Sequence, residues 1–206
     1  MKSSDTNIIS NGVNHWYFAL TVKDSNSSSG NNVSFNAGGR LNSLFNNTAG
    51  NEGSNLADLF HGSGVIDASQ VIVYKGSSPN IRYWTGAFEN STLQYPPVLP
   101  TNIATLPNAE GMFGGCTSLK AIPMFHCTYV GDIGLWSGFN GCTSLKVSTT
   151  RTEECCYIYP IFGDGPVISN ASWGNPLDNC FANTSGSFTG TPSLNTTYYV
   201  NLPVIG

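Results

Sequence analysis

Charge is scarce in this chain. Eight Lys and Arg with twelve Asp and Glu amount to 10% of 206 residues, where an ordinary soluble domain carries roughly 25%. The eight cations, Lys2, Lys23, Arg40, Lys75, Arg82, Lys120, Lys146 and Arg151, are scattered, and the net charge is −4. Nucleic-acid binding needs clustered positive charge, so no nucleic acid is expected as a partner. Long apolar runs are missing too. No window approaches roughly 18 consecutive apolar residues, so no membrane span is predicted. Residues 1–15 hold one Lys and no apolar block, so no export signal is expected. No Cys-x-x-Cys pair occurs among the six cysteines, which removes the usual spacing of a zinc site.

What is present is neutral polarity. Gly, Asn, Ser and Thr make up 88 of the 206 residues, beside a 40% hydrophobic and 12% aromatic content. Those apolar residues are enough to bury a core, so the chain reads as one folding unit rather than a disordered one. Residues 7–35 suggest a small β unit. Trp16-Tyr-Phe-Ala-Leu-Thr-Val22 is aromatic and β-branched, residues 24–32 are a polar loop, and Val33-Ser-Phe35 resumes the strand pattern.

From residue 40 on, a repeat emerges. Phe113-Gly-Gly-Cys-Thr-Ser-Leu-Lys120 and Phe139-Asn-Gly-Cys-Thr-Ser-Leu-Lys146 share six consecutive residues and the Phe three positions before Cys. Fainter copies start at Phe60, Phe88 and Phe162, giving spacings of 28, 25, 26 and 23 residues. That period falls within the roughly 20–29 residues of leucine-rich repeats. Phe60, Phe88, Phe113, Cys116, Leu119, Phe139, Cys142, Leu145 and Phe162 are therefore the expected repeat core. Each coil buries its apolar face only against the next, so Phe should stack on Phe. Five coils at strand spacing give a stack about 20–25 Å tall, whose two ends need covering.

The unit Met112-Phe-Gly-Gly-Cys-Thr-Ser-Leu-Lys-Ala-Ile-Pro123 resembles the BspA-like leucine-rich repeat, and Leu99-Pro-Thr-Asn-Ile-Ala-Thr-Leu106 is similar to the linker between such repeats in proteins of gut Bacteroidales and their phages. The likeness covers roughly residues 40–192. It implies a mainly β chain with short helical turns: an N-terminal β unit over 1–38 for docking or capping, a degenerate leucine-rich-repeat solenoid over 39–172, and an irregular C-terminal cap over 173–206. It also implies a non-catalytic surface module. The first reading is a phage virion protein (head fibre, decoration or tail-fibre component) acting in particle structure or host attachment. The alternative is a bacterial cell-surface or extracellular adhesin module binding host protein or glycan. The partners are then other virion proteins or a host-surface glycan or protein. Phage fibres of this kind suggest a homo-oligomer, a trimer by analogy.

Catalytic constellations are weak. His126-Cys127 has the residue types of a nucleophile and its base, but neighbours in an extended segment point apart. His15 and His61 are distant from each other, and Glu153-Glu154 diverge if they lie on a strand. Gly38-Gly39 and Gly163-Asp-Gly165 read as turns rather than phosphate loops. Sequons at Asn26, Asn32, Asn46, Asn90, Asn170, Asn183 and Asn195 follow from composition. No metal or cofactor is expected. The surface-contact candidates are aromatic: Tyr83, Trp84, Tyr129, Trp136, Tyr157 and Tyr159, with Trp173 beside them. Exposed rings bring large contact area at low entropy cost.

Overall fold

The structure is a computed structural model that describes residues 19–22, 33–40, 54–72, 81–99, 103–106, 108–163, 165–169, 171–172 and 174–206. It is mainly β, and no helix occurs among these residues. Five segments organise it, at residues 56–63, 84–91, 109–116, 135–142 and 177–184. Each is a run of turns with a Phe at its fifth position: Phe60, Phe88, Phe113, Phe139 and Phe181.

The backbone accounting explains why these segments stack. In every segment the N–H groups one residue before Phe, one after and three after donate to the carbonyl three residues back, as in Ala87 to Trp84, Glu89 to Gly86 and Ser91 to Phe88. The alternate N–H groups point out of the segment and donate to the next one. Leu56, Asp58, Phe60 and Gly62 bond to Tyr83, Thr85, Ala87 and Glu89. The same four bonds recur at each following junction, all 2.6–2.9 Å long. Burying the first four segments is possible because these seven N–H groups of each all find carbonyl acceptors.

Two columns need left-handed backbone. Two residues before Phe stand Asp58, Gly86, Gly111, Ser137 and Asn179; two after stand Gly62, Asn90, Gly115, Gly141 and Asn183. All ten have positive φ, between 54° and 74°. Gly enters that region freely, and Asp and Asn tolerate it better than other side chains. This is one structural reason for the Gly and Asn content.

Inside, the rings form one column. Phe60, Phe88, Phe113 and Phe139 stack at 5.2–5.4 Å between centroids, and Phe181 follows Phe139 at 6.0 Å. Phe35 lies against Phe60 at the other end, at 6.2 Å. Each ring contributes the burial of a large apolar side chain, about 1.5–3 kcal/mol, plus roughly 0.5–1.5 kcal/mol per well-placed ring pair. Four residues before Phe, Leu56, Trp84, Ala109, Leu135 and Leu177 form a second buried column. Three residues after it stand Ser63, Ser91, Cys116, Cys142 and Thr184. The Cys116 thiol donates to the Phe88 carbonyl and the Cys142 thiol to that of Phe113, both at 3.0 Å. Leu119 and Leu145 are buried just beyond.

Among the described residues, thirteen strands connect and flank the turns. β1 (Ala19–Val22) pairs antiparallel with β2 (Phe35–Arg40), Val22 opposite Phe35, as the hairpin reading expects of these residues; its residues 7–18 and the loop over 24–32 lie outside the described residues. β2 also runs parallel to β4 (Val65–Ile72). β3 (Ser54–Asn55) and β5 (Ile81–Tyr83) pair in parallel immediately before the first two turn segments. β6 (Ile103–Leu106), β8 (Cys127–Val130) and β11 (Ile168–Ser169) form a parallel sheet. β7 (Ile122–Pro123) pairs in parallel with β13 (Val204–Ile205). β9 (Val147–Ser148), β12 (Thr197–Val200) and β10 (Tyr157–Pro160) form an antiparallel sheet with β12 in the middle.

Two expectations need correction. Phe162 is not the fifth rung. It is buried but touches one ring, Phe125 at 6.4 Å, and Phe181, forty-two residues after Phe139, takes the stacking position. The chain between them makes an excursion through β9, β10 and β11 before returning. The stretch from 173 on is also not an irregular cap. Residues 177–184 are a full turn segment, and β12 and β13 are regular strands.

Candidate functional site

The turn geometry decides which side chains face outward. Three residues before Phe lie Ala57, Thr85, Glu110, Trp136 and Asp178, none of them buried. One residue after Phe lie His61, Glu89, Gly114, Asn140 and Ala182. The register is fixed by the ladder: Gly111 N–H donates to Trp136 O and Ser137 N–H to Asp178 O, both at 2.8 Å. Glu110, Trp136 and Asp178 are therefore lateral neighbours on three successive turns. Trp136 is 37% exposed. Its indole makes no ring contact and no hydrogen bond among the described residues. Asp178 accepts a hydrogen bond from the Thr191 hydroxyl at 2.8 Å. Farther along the same turns, the Asn183 amide donates to that of Asn140 at 2.9 Å; at the equivalent places on the first two turns, His61 approaches Glu89 at 3.9 Å.

Of the aromatic candidates, Tyr83, Tyr129 and Tyr157 are also exposed. Tyr129 on β8 lies opposite Ile168 on β11, 58% exposed, so the parallel sheet shows an apolar outer patch. Tyr157 stands at the start of β10 beside Ile158, which is 60% exposed. Tyr95, not singled out from the sequence, is exposed with the Lys120 ammonium 5.8 Å from its ring centre; its isolation between Gln94 and Pro96 gave no periodic signal.

Trp84 and Tyr159, expected at the surface, are core residues. Trp84 occupies the column four before Phe88, between Leu56 and Ala109, and Ala109 is the small neighbour that leaves the indole room. Tyr159 is fully buried. Its hydroxyl donates to the Pro123 carbonyl at 3.0 Å, and its ring meets Phe139 and Phe181. Burial pushes its phenol well above the usual range.

The cysteines are free thiols. Desolvation pushes Cys116 up to about 11 and Cys127 up to about 12, and raises Cys142 and Cys180 strongly. Such thiols are poor nucleophiles, because the thiolate is the reactive form. Cys127 is buried beside the Leu106 backbone, whereas the His126 imidazole packs against Gly163 and Gly206, so the two do not form a dyad. Glu154 is paired with Lys146 at 2.9 Å. With Glu153, Thr152, Ser148 and Ser185 it borders an open cavity of about 620 Å³. A second cavity of about 450 Å³ runs along Ile158, Pro160, Phe162, Pro166 and Thr197. No group of three or more His, Cys, Asp or Glu is placed to hold a metal among the described residues, and no helix there is long and apolar enough to cross a membrane. His15, Asp164 and Trp173 lie outside the described residues.

Compared with known proteins, the chain matches no family model, no curated protein and no solved structure.

Proposed function

We propose that this chain is a non-catalytic phage virion surface protein, a head fibre, decoration or tail-fibre component, built on a short leucine-rich-repeat solenoid of the BspA-like kind. The observation that carries the repeat reading is the continuous Phe60–Phe88–Phe113–Phe139–Phe181 column with its identical backbone ladder. Each coil is stabilised by its neighbours rather than by itself, as in other stacked-repeat architectures. The outward columns mix small neutral residues (Ala57, Thr85, Gly114, Asn140, Ala182) with three carboxylates (Glu89, Glu110, Asp178), His61 and one aromatic ring, Trp136. Such a face suits contact by shape and stacking at a surface, and burial argues against chemistry at Cys116, Cys127, Cys142 and Cys180. In this reading the N-terminal strands serve docking or self-assembly, and the turn face serves attachment.

The test is location and stoichiometry. Antibody raised against the chain should label purified phage particles, and mass spectrometry should find it there in a fixed ratio to the capsid protein. Light scattering on the purified chain should give a closed oligomer, with a trimer as the expected case. Finding the chain instead in the envelope of uninfected bacteria, and absent from particles, would replace this reading with the bacterial adhesin.

A further inference from the structure

We propose that Trp136, with Glu110 and Asp178 on either side, is a stacking platform for a neutral pyranose. The inference rests on the attachment reading and supplies its ligand class and its contact residues. Three observations carry it. First, a Trp stands in an outward column otherwise occupied by Ala57, Thr85, Glu110 and Asp178, on a rigid turn whose backbone is bonded on both sides. Second, the side chain is 37% exposed and its indole makes no ring contact and no hydrogen bond among the described residues, so no described group there competes for it. Third, its neighbours are hydrogen-bonding groups at fixed lateral spacing, one carboxylate per adjacent turn.

A pyranose has one face of C–H groups that lies on an aromatic ring and a rim of hydroxyls that both donate and accept. Glu110 and Asp178 accept from such hydroxyls. Asp178 already holds one in this way, the Thr191 hydroxyl at 2.8 Å. The Asn140–Asn183 amide pair farther along the two turns offers donors as well as acceptors. A cationic side chain would use the ring and the carboxylates but none of those donors, and one of its two carboxylates is already engaged. The same carboxylates repel uronic and sialic acids. The structure thus assigns the platform to neutral sugars.

The experiment is binding of the full chain to immobilised oligosaccharides of neutral hexoses and N-acetylhexosamines, beside sialylated and uronic-acid counterparts and an oligolysine peptide. The expected result is binding to at least one neutral oligosaccharide with a shift in Trp emission. Trp136→Ala should weaken it by about tenfold or more, and Trp136→Phe by less, since a ring is retained. Thermal unfolding of Trp136→Phe should stay close to the parent, whereas Trp136→Ala, which also removes the covered part of the side chain, should unfold somewhat earlier while remaining folded at the assay temperature. Three results would overturn the proposal: undiminished binding by Trp136→Ala, preference for acidic sugars or oligolysine, or no binding to any neutral sugar. Failure here in a chain that does copurify with phage particles sinks the platform alone. Neutral-sugar binding by a chain confined to uninfected cells sinks the virion reading alone.

Discussion

Removing the Phe181 ring should cost more than removing Phe162, although only Phe162 falls at the spacing read from the sequence. Phe181 is 2% exposed and meets four rings. Phe139 lies at 6.0 Å, Tyr159 at 6.3 Å, Phe188 at 6.0 Å and Tyr198 at 5.8 Å. Phe139 is the ring below and the other three close the end of the column. Phe162 is 6% exposed and meets Phe125 alone. Buried Phe→Ala substitutions cost about 3–5 kcal/mol, the value rising with the cavity left behind. Phe181→Ala should therefore fall near the top, about 4–5 kcal/mol, and Phe162→Ala near or below the bottom, about 2–3 kcal/mol. With a urea m-value of about 2–3 kcal/mol/M, the unfolding midpoint should drop by about 1.5–2 M for Phe181→Ala and by about 1 M for Phe162→Ala. The assay is equilibrium unfolding followed by circular dichroism and Trp fluorescence, with unchanged m as the check that only stability moved. Midpoints lowered equally, within about 0.2 M, would refute the assignment of Phe181 to the stack, and so would a larger effect at Phe162.

Three further outcomes follow from the same contacts. At pH 8 a thiol reagent should titrate one cysteine quickly, the exposed Cys156, with the others released on unfolding; fast reaction of Cys116 or Cys142 would contradict their burial. Cys116 keeps its proton to about 11 when folded, against 9.0 when unfolded, so the unfolded state loses its proton first. Stability should therefore fall as pH rises from about 9 to 11, by an amount on the order of 2–3 kcal/mol from this group. Cys116→Ser, which puts the residue type of Ser91 in the same column, should lessen that slope by this group's share, the buried thiols of Cys127, Cys142 and Cys180 keeping the rest, and an unchanged slope would rule the group out. Gly186→Ala would drive a Cβ into the Val147 backbone, which cannot swing aside, and should cost about 2 kcal/mol or more, whereas Gly165→Ala meets nothing within 4 Å and should be near neutral by the same unfolding assay.

The sequence carried the repeat where identity was high. Phe113 and Phe139 with their Cys and Leu partners lie in equivalent places, and Val22 pairs with Phe35 as the aromatic and β-branched pattern on either side of the polar stretch implied. What escaped was register. Phe162 matched the period, but spacing counts residues along the chain, and the stack is set by which Phe returns to the ladder. The better signal was two residues either side of each ring. Asn179 and Asn183 around Phe181 repeat the left-handed positions of Ser137 and Gly141 around Phe139, and Pro160, two residues before Phe162, does not. Proline fixes φ near −65° and cannot take that place. The surface aromatics divided for a similar reason. Trp84 and Trp136 are both Trp in a turn segment, yet one stands four residues before its Phe and is buried, and the other stands three before and faces outward. Aromatic content alone contains no such distinction.

Amide hydrogen exchange tests the stacked array most directly. The N–H groups of Phe60, Phe88, Phe113 and Phe139 each donate to the following turn. If the five turns are one cooperative column, these four amides should exchange with opening free energies equal within about 1 kcal/mol and close to that of global unfolding. Independent opening of the four, or exchange at the rate of an unfolded chain, would contradict the column on which the whole account stands.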